Sequence, residues 1–157
     1  MAVPDSKEHR NYLGLKRGES FRLSQVAADT LIVEVLSMYC PFCQAEAPAV
    51  NTLYAMIEDD PALREKVKII GIAAGNTKLE RDMFVDTFDI PFPVFADADF
   101  LFHKALGEVR TPYFLGVRIT GGAATVFHSS LGAFEDPASF LSLIIERSRS
   151  NSAEVSP

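Results

Sequence analysis

Residues 31–43 read LIVEVLSMYCPFC. The first six are apolar and rich in β-branched residues apart from Glu34, a composition typical of a strand buried on both faces of a sheet. The strand pattern stops at Ser37, and Cys40 and Cys43 follow with two residues between them. This stretch therefore predicts a buried strand that ends just before a C-x-x-C pair.

The residues after Cys40 predict a helix from Pro41 to about Glu58, because apolar residues recur there at helical spacing. Pro41 suits the first helical position, where a missing N–H costs nothing. Cys40 would then be the N-cap residue, and the free amides of Phe42 and Cys43 would point at its sulfur. These donors and the helix dipole favour the thiolate and lower the pKa of Cys40. We expect Cys40 to attack a substrate disulfide and Cys43 to resolve the mixed disulfide.

The rest of the chain alternates strand and helix patterns. We expect strands over 20–26, 67–73, 91–95, 113–119 and 123–128, and helices over 78–88, 99–106 and 136–147. In the helix over 78–88, Leu79, Met83, Phe84 and Phe88 are predicted to face inward. This order of elements indicates an α/β sandwich with a mixed sheet.

The chain has two cysteines in all, and this number limits the roles that they can have. Two cysteines cannot form a disulfide scaffold, and a disulfide across so short a loop would add little stability. Structural zinc needs about four ligands, and the three histidines are scattered singly. A pair of inert core thiols is the plain alternative, which the position of Cys40 at a helix start disfavours. A redox dithiol remains as the interpretation.

Composition excludes several function classes. The chain has 157 residues, enough for one domain, and its formal net charge of −6 argues against nucleic-acid binding. No apolar run approaches the length of a membrane span, and the polar N-terminus has no leader pattern. We expect a polar lead-in over 1–16, a single domain over 17–147 and a mobile polar tail over 148–157.

A longer motif carries a resemblance to a known family. The string from Cys40 to Pro48 reads C-P-F-C-x-x-E-x-P and resembles the C-x-x-C-x-x-E-x-P signature of the TlpA/ResA branch of thioredoxin-like thiol–disulfide oxidoreductases. The stretches FPVFAD at 92–97 and PYFL at 112–115 resemble later motifs of that branch. The resemblance implies a thioredoxin-like three-layer α/β/α sandwich with a mixed central sheet. It also implies an N-terminal β extension and a helix inserted before the third core strand.

Two acidic residues are candidates for handling protons. The family places a proton-accepting glutamate at Glu46, which on a helix shares a face with Cys43. Glu34 stands where thioredoxins carry a buried acid, inside an otherwise apolar strand, so we expect it to be neutral with a shifted pKa or paired. A solvated surface glutamate is the alternative for Glu46. A structural ion pair near a strand end is the alternative for Glu34.

Residues near the cysteine pair are candidates for binding substrate. The resemblance implies a cis peptide bond between Thr111 and Pro112 that lies against the cysteines, with an ordinary trans proline as the alternative. Thr111 would then offer its backbone to an extended substrate segment. Tyr39, where the family usually has Trp, lies next to the pair in sequence, and Pro41 and Phe42 lie between the cysteines. We include all three among the substrate-binding candidates.

These residues predict a thiol–disulfide oxidoreductase, acting as a reductant, with the Cys40–Cys43 disulfide as its redox centre and no other cofactor or metal. A peroxiredoxin-like thiol peroxidase is one alternative, favoured by Ser37 and Arg110 near the site but not by Val33, where that motif wants proline. A non-catalytic thiolate carrier of copper or zinc is another, although Met38 is the only extra soft ligand nearby.

Expected partners are protein thiols or disulfides and a protein that donates or accepts electrons. We expect no nucleic-acid partner, and we expect a monomer. The resemblance favours a periplasmic or cell-envelope location if a leader was removed, whereas a native start at Met1 would favour the cytoplasm.

Overall fold

The structure is a computed structural model that describes residues 1–134 and 136–150. These residues form five strands and six helices. In chain order the elements are α1 (Lys7–Leu13), β1 (Thr30–Leu36), α2 (Pro41–Asp59), α3 (Pro61–Arg64), β2 (Val67–Ala74), α4 (Lys78–Thr87), β3 (Val94–Asp97), α5 (Leu101–Ala105), β4 (Tyr113–Thr120), β5 (Ala123–Leu131) and α6 (Pro137–Ser150).

The five strands form one mixed sheet in the order β3-β2-β1-β4-β5. β1 pairs in parallel with β2, and β2 pairs in parallel with β3. β4 runs antiparallel to both β1 and β5. β1 therefore lies at the centre, and its carboxyl end leads directly to the cysteines. The predicted mixed sheet is confirmed.

The sheet is covered on both faces, which makes three layers. Alternate residues of a strand point to opposite faces. Ile32 and Leu36 pack in the cluster that includes residues of α2, α4 and α6. Leu31 and Val33 pack in a second cluster on the opposite face of the sheet. Leu13 of α1 belongs to that cluster, and Phe102 of α5 packs against it. The α/β/α arrangement is confirmed, and the positions of Ile32 and Leu36 place Glu34, between them, on the α2 face.

The inserted helix, α4, is present but rotated relative to the prediction. Phe84 is buried and packs with Phe88 at a ring-centroid distance of 4.8 Å. Leu79 and Met83 are 70% and 51% exposed, so the prediction that they face inward is wrong. The two phenylalanines supply a larger apolar area than Leu79 and Met83, and the helix buries that side.

The N-terminal β extension predicted over 20–26 is also wrong. That segment contains a 3-10 turn over Leu23–Gln25, and its strand-like contact is one isolated bridge between Ala2 and Ser20. The turn forms because the Arg22 amide donates a hydrogen bond to the Gln25 side chain at 2.8 Å. Phe21 still reaches the core by packing on Phe95.

The segment 1–16, predicted as a polar lead-in, contains α1. Ser6 caps this helix by accepting a hydrogen bond from the His9 amide. Leu13 is fully buried, and the Tyr12 hydroxyl accepts a hydrogen bond from the Ile69 amide of β2 at 2.8 Å. Two residues on one short helix therefore hold this segment to the sheet, which its polar composition did not indicate.

Other element bounds follow local chemistry. β3 begins after Pro93 because proline has no N–H for the ladder, which moves the strand towards the carboxyl side of the predicted 91–95. Asp136 caps α6 as predicted, accepting a hydrogen bond from the Ser139 amide at 2.7 Å. α6 continues to Ser150, and residues 151–157 of the predicted tail lie outside the described residues.

Candidate active site

Cys40 occupies the N-cap of α2, with Pro41 at the first helical position as predicted. Its sulfur accepts a hydrogen bond from the Cys43 amide at 3.4 Å and donates one to the Thr111 carbonyl at 3.3 Å. Burial opposes ionisation of Cys40, but hydrogen bonding with the Thr111 side chain, with Cys43 and with the Phe42 backbone outweighs it and lowers the pKa of the thiol. Cys40 remains partly exposed. It is therefore the more acidic and more accessible of the two sulfurs.

Cys43 lies one turn further along α2, and no part of it is exposed. Both cysteines are free thiols, and they approach each other to 3.2 Å. Burial raises the pKa of Cys43 to about 12. A thiol of this acidity stays protonated at neutral pH, so Cys43 needs a base before it attacks. The pair thus combines one acidic sulfur with one that holds its proton.

Glu34 is almost fully buried in the central strand, on the face that carries α2. Burial, with smaller contributions from the nearby charges of Glu46 and Cys40, raises the pKa of its carboxyl to about 8. No ion pair involves Glu34 among residues 1–134 and 136–150. Of the two alternatives open from the sequence, the structure favours the neutral carboxyl.

Glu46 is buried as well, so the alternative of a solvated surface glutamate is wrong. Its Oε1 accepts a hydrogen bond from the Phe134 amide at 3.0 Å. Burial raises the pKa of the Glu46 carboxyl, and the Phe134 hydrogen bond partly opposes that rise. Phe134 follows β5 and lies 88 positions away in sequence, so nothing in the helix pattern could have indicated this contact.

The Thr111–Pro112 peptide bond is cis, as the resemblance implies. The Thr111 carbonyl contacts Cys40, and the Pro112 carbonyl accepts a hydrogen bond from the Gly132 amide at 2.9 Å. Tyr39 and Phe42 are 66% and 71% exposed, an unusual state for aromatic side chains. Of the predicted substrate-binding residues, Tyr39, Pro41 and Phe42 are therefore exposed next to Cys40 in the chain, Thr111 is half-buried, and Pro112 is buried.

Asn76 organises the loop before Cys40 and was missed in the sequence. It is fully buried, and its Oδ1 accepts a hydrogen bond from the Met38 amide at 2.8 Å. Its amide nitrogen donates to the Ser37 hydroxyl at 3.4 Å. The only signal for it was an asparagine in the turn after the second core strand, which is common in turns without any further role.

A cleft of about 400 Å³ is lined by Tyr39, which precedes Cys40 in the chain, and by Thr111, whose carbonyl contacts the Cys40 sulfur. It lies between the loop before Cys40 and the segment that leads to Pro112. It is lined by Ser37, Tyr39, Ala74, Gly75, Phe100, His103, Val109, Arg110 and Thr111. A larger cavity, about 470 Å³, lies between the N-terminal segment, α4 and β3, and none of the candidate site residues lines it. The smaller cleft is therefore the one next to the reactive sulfur.

The structure also bears on the alternative chemistries. The Ser37 hydroxyl accepts its hydrogen bond from Asn76 and has no hydrogen bond to the Cys40 sulfur. Within the described part of the chain, no three or more His, Cys, Asp or Glu side chains are grouped so that they could hold a metal ion. Of the helices described, none has both the length and the apolar character needed to span a bilayer.

Comparison with known proteins agrees with this geometry. The model of the AhpC/TSA family matches residues 2–127. The ResA thiol–disulfide oxidoreductase of Oceanobacillus iheyensis is 28% identical over 95 residues, which are 60% of this chain and 43% of that protein. The ResA protein of Halalkalibacterium halodurans is 29% identical over 80 residues, which are 51% of this chain and 43% of that protein. The chain thus matches less than half the length of these curated relatives.

Solved structures share the fold. A secreted Mycobacterium tuberculosis disulfide oxidoreductase homologous to Escherichia coli DsbE superposes with a TM-score of 0.63 and 21% identity, covering 82% of this chain and 90% of that one. A Corynebacterium glutamicum thiol–disulfide isomerase superposes with a TM-score of 0.64 and 21% identity, covering 84% of this chain and 88% of that one. The family match shows that the chain belongs to the AhpC/TSA family, and its sequence is similar to ResA thiol–disulfide oxidoreductases.

Proposed function

We propose that the protein is a thiol–disulfide oxidoreductase that uses Cys40 and Cys43. The observation that carries this proposal is the opposed acidity of two adjacent sulfurs, one lowered in pKa at a helix start and one raised to about 12 by burial. The relatives named above as thiol–disulfide oxidoreductases support the same chemistry. The cysteine pair is itself the redox centre, and we propose no further cofactor.

The reaction follows from the two sulfurs. The Cys40 thiolate attacks one sulfur of a substrate disulfide, forms a mixed disulfide and releases the other substrate sulfur as a thiolate. Cys43 then loses its proton and attacks the Cys40 sulfur. The Cys40–Cys43 disulfide forms, the second substrate sulfur leaves, and the substrate has gained two electrons. A separate electron-donor protein would reduce Cys40–Cys43 again.

The proton of Cys43 passes to a buried carboxylate in this scheme. Glu46 lies three residues after Cys43 on α2, and Glu34 lies on the sheet face that α2 covers. Burial raises the pKa of both carboxyls, which brings them closer to the pKa of the thiol that they must deprotonate. Glu46 is the acceptor in its ionised form, and Glu34, which keeps its own proton below a pKa of about 8, becomes a second acceptor only at alkaline pH.

The substrate in this proposal is a polypeptide, and the protein acts on it as a monomer. The segment around Thr111 lies at the surface beside Cys40, where an extended chain could pair with its backbone. Exposed aromatic rings at Tyr39 and Phe42 would contact the same chain. These are features that a small disulfide would not require.

We propose that electrons flow from this protein to its substrate. A strong oxidant stabilises its reduced thiolate form. Here Cys40 alone is stabilised as a thiolate, while Cys43, whose pKa is raised to about 12 by burial, keeps its proton. The reduced form therefore gains thiolate stabilisation at one sulfur only, which favours a more reducing potential.

One set of assays tests this function. The purified protein, supplied with dithiothreitol, should accelerate reduction of insulin disulfides, consume hydrogen peroxide only at background rate and show no bound metal. Its reduction potential should lie near about −270 mV rather than about −120 mV. Rapid peroxide consumption without disulfide reduction would overturn the proposal. A potential near the higher value would overturn only the direction of electron flow.

A further inference from the structure

Arg110 lines the cleft near Cys40, and its guanidinium has no ion-pair partner in the described structure. It is exposed, and no carboxylate among residues 1–134 and 136–150 forms an ion pair with it. Among the described residues that line the cleft, Arg110 is the one Lys, Arg, Asp or Glu, so it supplies the cleft with a positive charge in a chain whose net charge is −6.

The other polar groups of the cleft are already engaged. The Nε2 of His103 donates a hydrogen bond to the Val109 carbonyl at 2.7 Å. Glu80, next to the cleft, accepts hydrogen bonds from the Tyr39 hydroxyl and from the Thr77 amide. Arg110 is the cleft residue that carries a positive charge without an ion-pair partner among residues 1–134 and 136–150, and a guanidinium binds carboxylates through paired N–H donors.

Two aromatic rings, those of Tyr39 and Phe100, form part of the cleft wall. The Phe100 ring lies over Gly75, where an added Cβ would come within 2.2 Å of the ring. Phe100 itself has a φ of 58°, a left-handed conformation that is uncommon for an aromatic residue. Tyr39 and Phe100 therefore line the cleft with aromatic rings. Arg110 lines it from the segment that leads to Thr111.

Arg110 is also placed along the expected path of a substrate. It precedes Thr111, whose carbonyl lies 3.3 Å from the Cys40 sulfur. Consecutive Cα atoms are about 3.8 Å apart, so a chain that pairs with Thr111 passes Arg110 within one or two residues of its cysteine. Such a chain would contact the rings of Tyr39 and Phe100 and the guanidinium of Arg110.

We propose, on the basis of the proposed function, that this cleft selects polypeptide substrates with an acidic residue within two positions of the reacting cysteine. Arg110 pairs with that carboxylate, and Tyr39 and Phe100 cover the neighbouring side chain. Arg110 acts as a specificity residue and takes no part in the sulfur chemistry.

Three synthetic disulfide-linked peptides test this inference. They differ only in the residue next to the cysteine, which is Glu, Gln or Lys, and kcat/KM is measured for each at low and high salt. The wild-type protein should favour the Glu peptide over the Gln peptide by about fivefold, the size expected of one exposed charge pair. The preference should shrink towards one at about 0.5 M salt because the pair is screened.

Variants of Arg110 test whether its charge causes the preference for the Glu peptide. Arg110→Gln should abolish the preference, and Arg110→Glu should reverse it in favour of the Lys peptide. Arg17→Glu is the matched control, since Arg17 is exposed in the loop after α1 and the net charge changes equally. Arg17→Glu should keep the wild-type preference.

The outcomes separate this inference from the proposed function. Equal rates for the three peptides in the wild type would overturn the inference while leaving disulfide exchange intact. The same effect from Arg110→Glu and Arg17→Glu would overturn it too, because overall charge would then be the cause. Glutathione disulfide is assayed beside the peptides, and an Arg110 effect confined to it would also overturn the inference, because it would show a site for small anionic disulfides. Absence of exchange with any peptide would contradict the proposed function itself.

Discussion

Replacing Cys43 with serine should stop turnover while leaving the first attack intact. The Cys40 thiolate would still form a mixed disulfide, because its stabilising contacts with Thr111, Phe42 and the backbone amide of residue 43 remain. No other cysteine exists in the chain to resolve that adduct. We expect disulfide reduction to fall by at least about a thousandfold, as when one member of a catalytic group is removed.

Mass spectrometry checks this prediction. The Cys43→Ser protein incubated with a substrate protein should accumulate a covalent adduct that dithiothreitol releases. Cys40→Ser is the matched control, and it should lose turnover without forming the adduct. Full turnover by Cys43→Ser would show that the second sulfur is not the resolving group.

Replacing Glu34 with glutamine should stabilise the protein at alkaline pH and have little effect at acid pH. Burial raises the pKa of the Glu34 carboxyl from about 4.5 to about 8, and each pKa unit corresponds to about 1.4 kcal/mol. Ionising this group inside the sheet therefore costs the folded state several kcal/mol. A neutral amide of the same shape avoids that cost.

The direction of the pH dependence follows from proton binding. Between pH 4.5 and about 8 the unfolded chain loses the Glu34 proton while the folded chain keeps it. The unfolded state then binds fewer protons, so the free energy of unfolding falls as pH rises through this window and levels off above it. Below pH 4.5 both states are protonated and Glu34 contributes nothing to the slope.

Denaturant unfolding at pH 5 and pH 9 measures the effect. Wild type should lose several kcal/mol more than Glu34→Gln between these two pH values. Glu19→Gln, which removes an exposed carboxylate, should follow the wild-type curve. Parallel curves for wild type and Glu34→Gln would show that Glu34 is ionised and solvated in the folded state.

The central part of the fold could be predicted from the sequence because local and tertiary requirements agree there. The run at 31–36 is apolar because the strand is buried on both faces, and Pro41 starts α2 where Cys40 needs free amides. The cis bond before Pro112 could be expected from the resemblance alone. The strand and the start of α2 each depend on a few consecutive residues.

The features that the sequence did not reveal depend on distant contacts. The spacing in α4 predicted Leu79 and Met83 to face inward together with Phe84, but packing of Phe84 against the core leaves both of them exposed. The buried state of Glu46 depends on Phe134, and the cleft depends on Phe100 meeting Gly75. A pattern of residue spacing does not contain contacts of this kind.

The central claim is that the two sulfurs differ in acidity, and alkylation rates measured against pH test it most directly. Iodoacetamide should modify Cys40 with a midpoint clearly below that of free cysteine, whose pKa is about 8.5, and Cys43 should stay almost unreactive throughout the neutral range. Peptide mapping assigns each modification, and Cys40→Ser isolates the reactivity of Cys43. Equal rates at both cysteines, with a midpoint like that of free cysteine, would contradict the account.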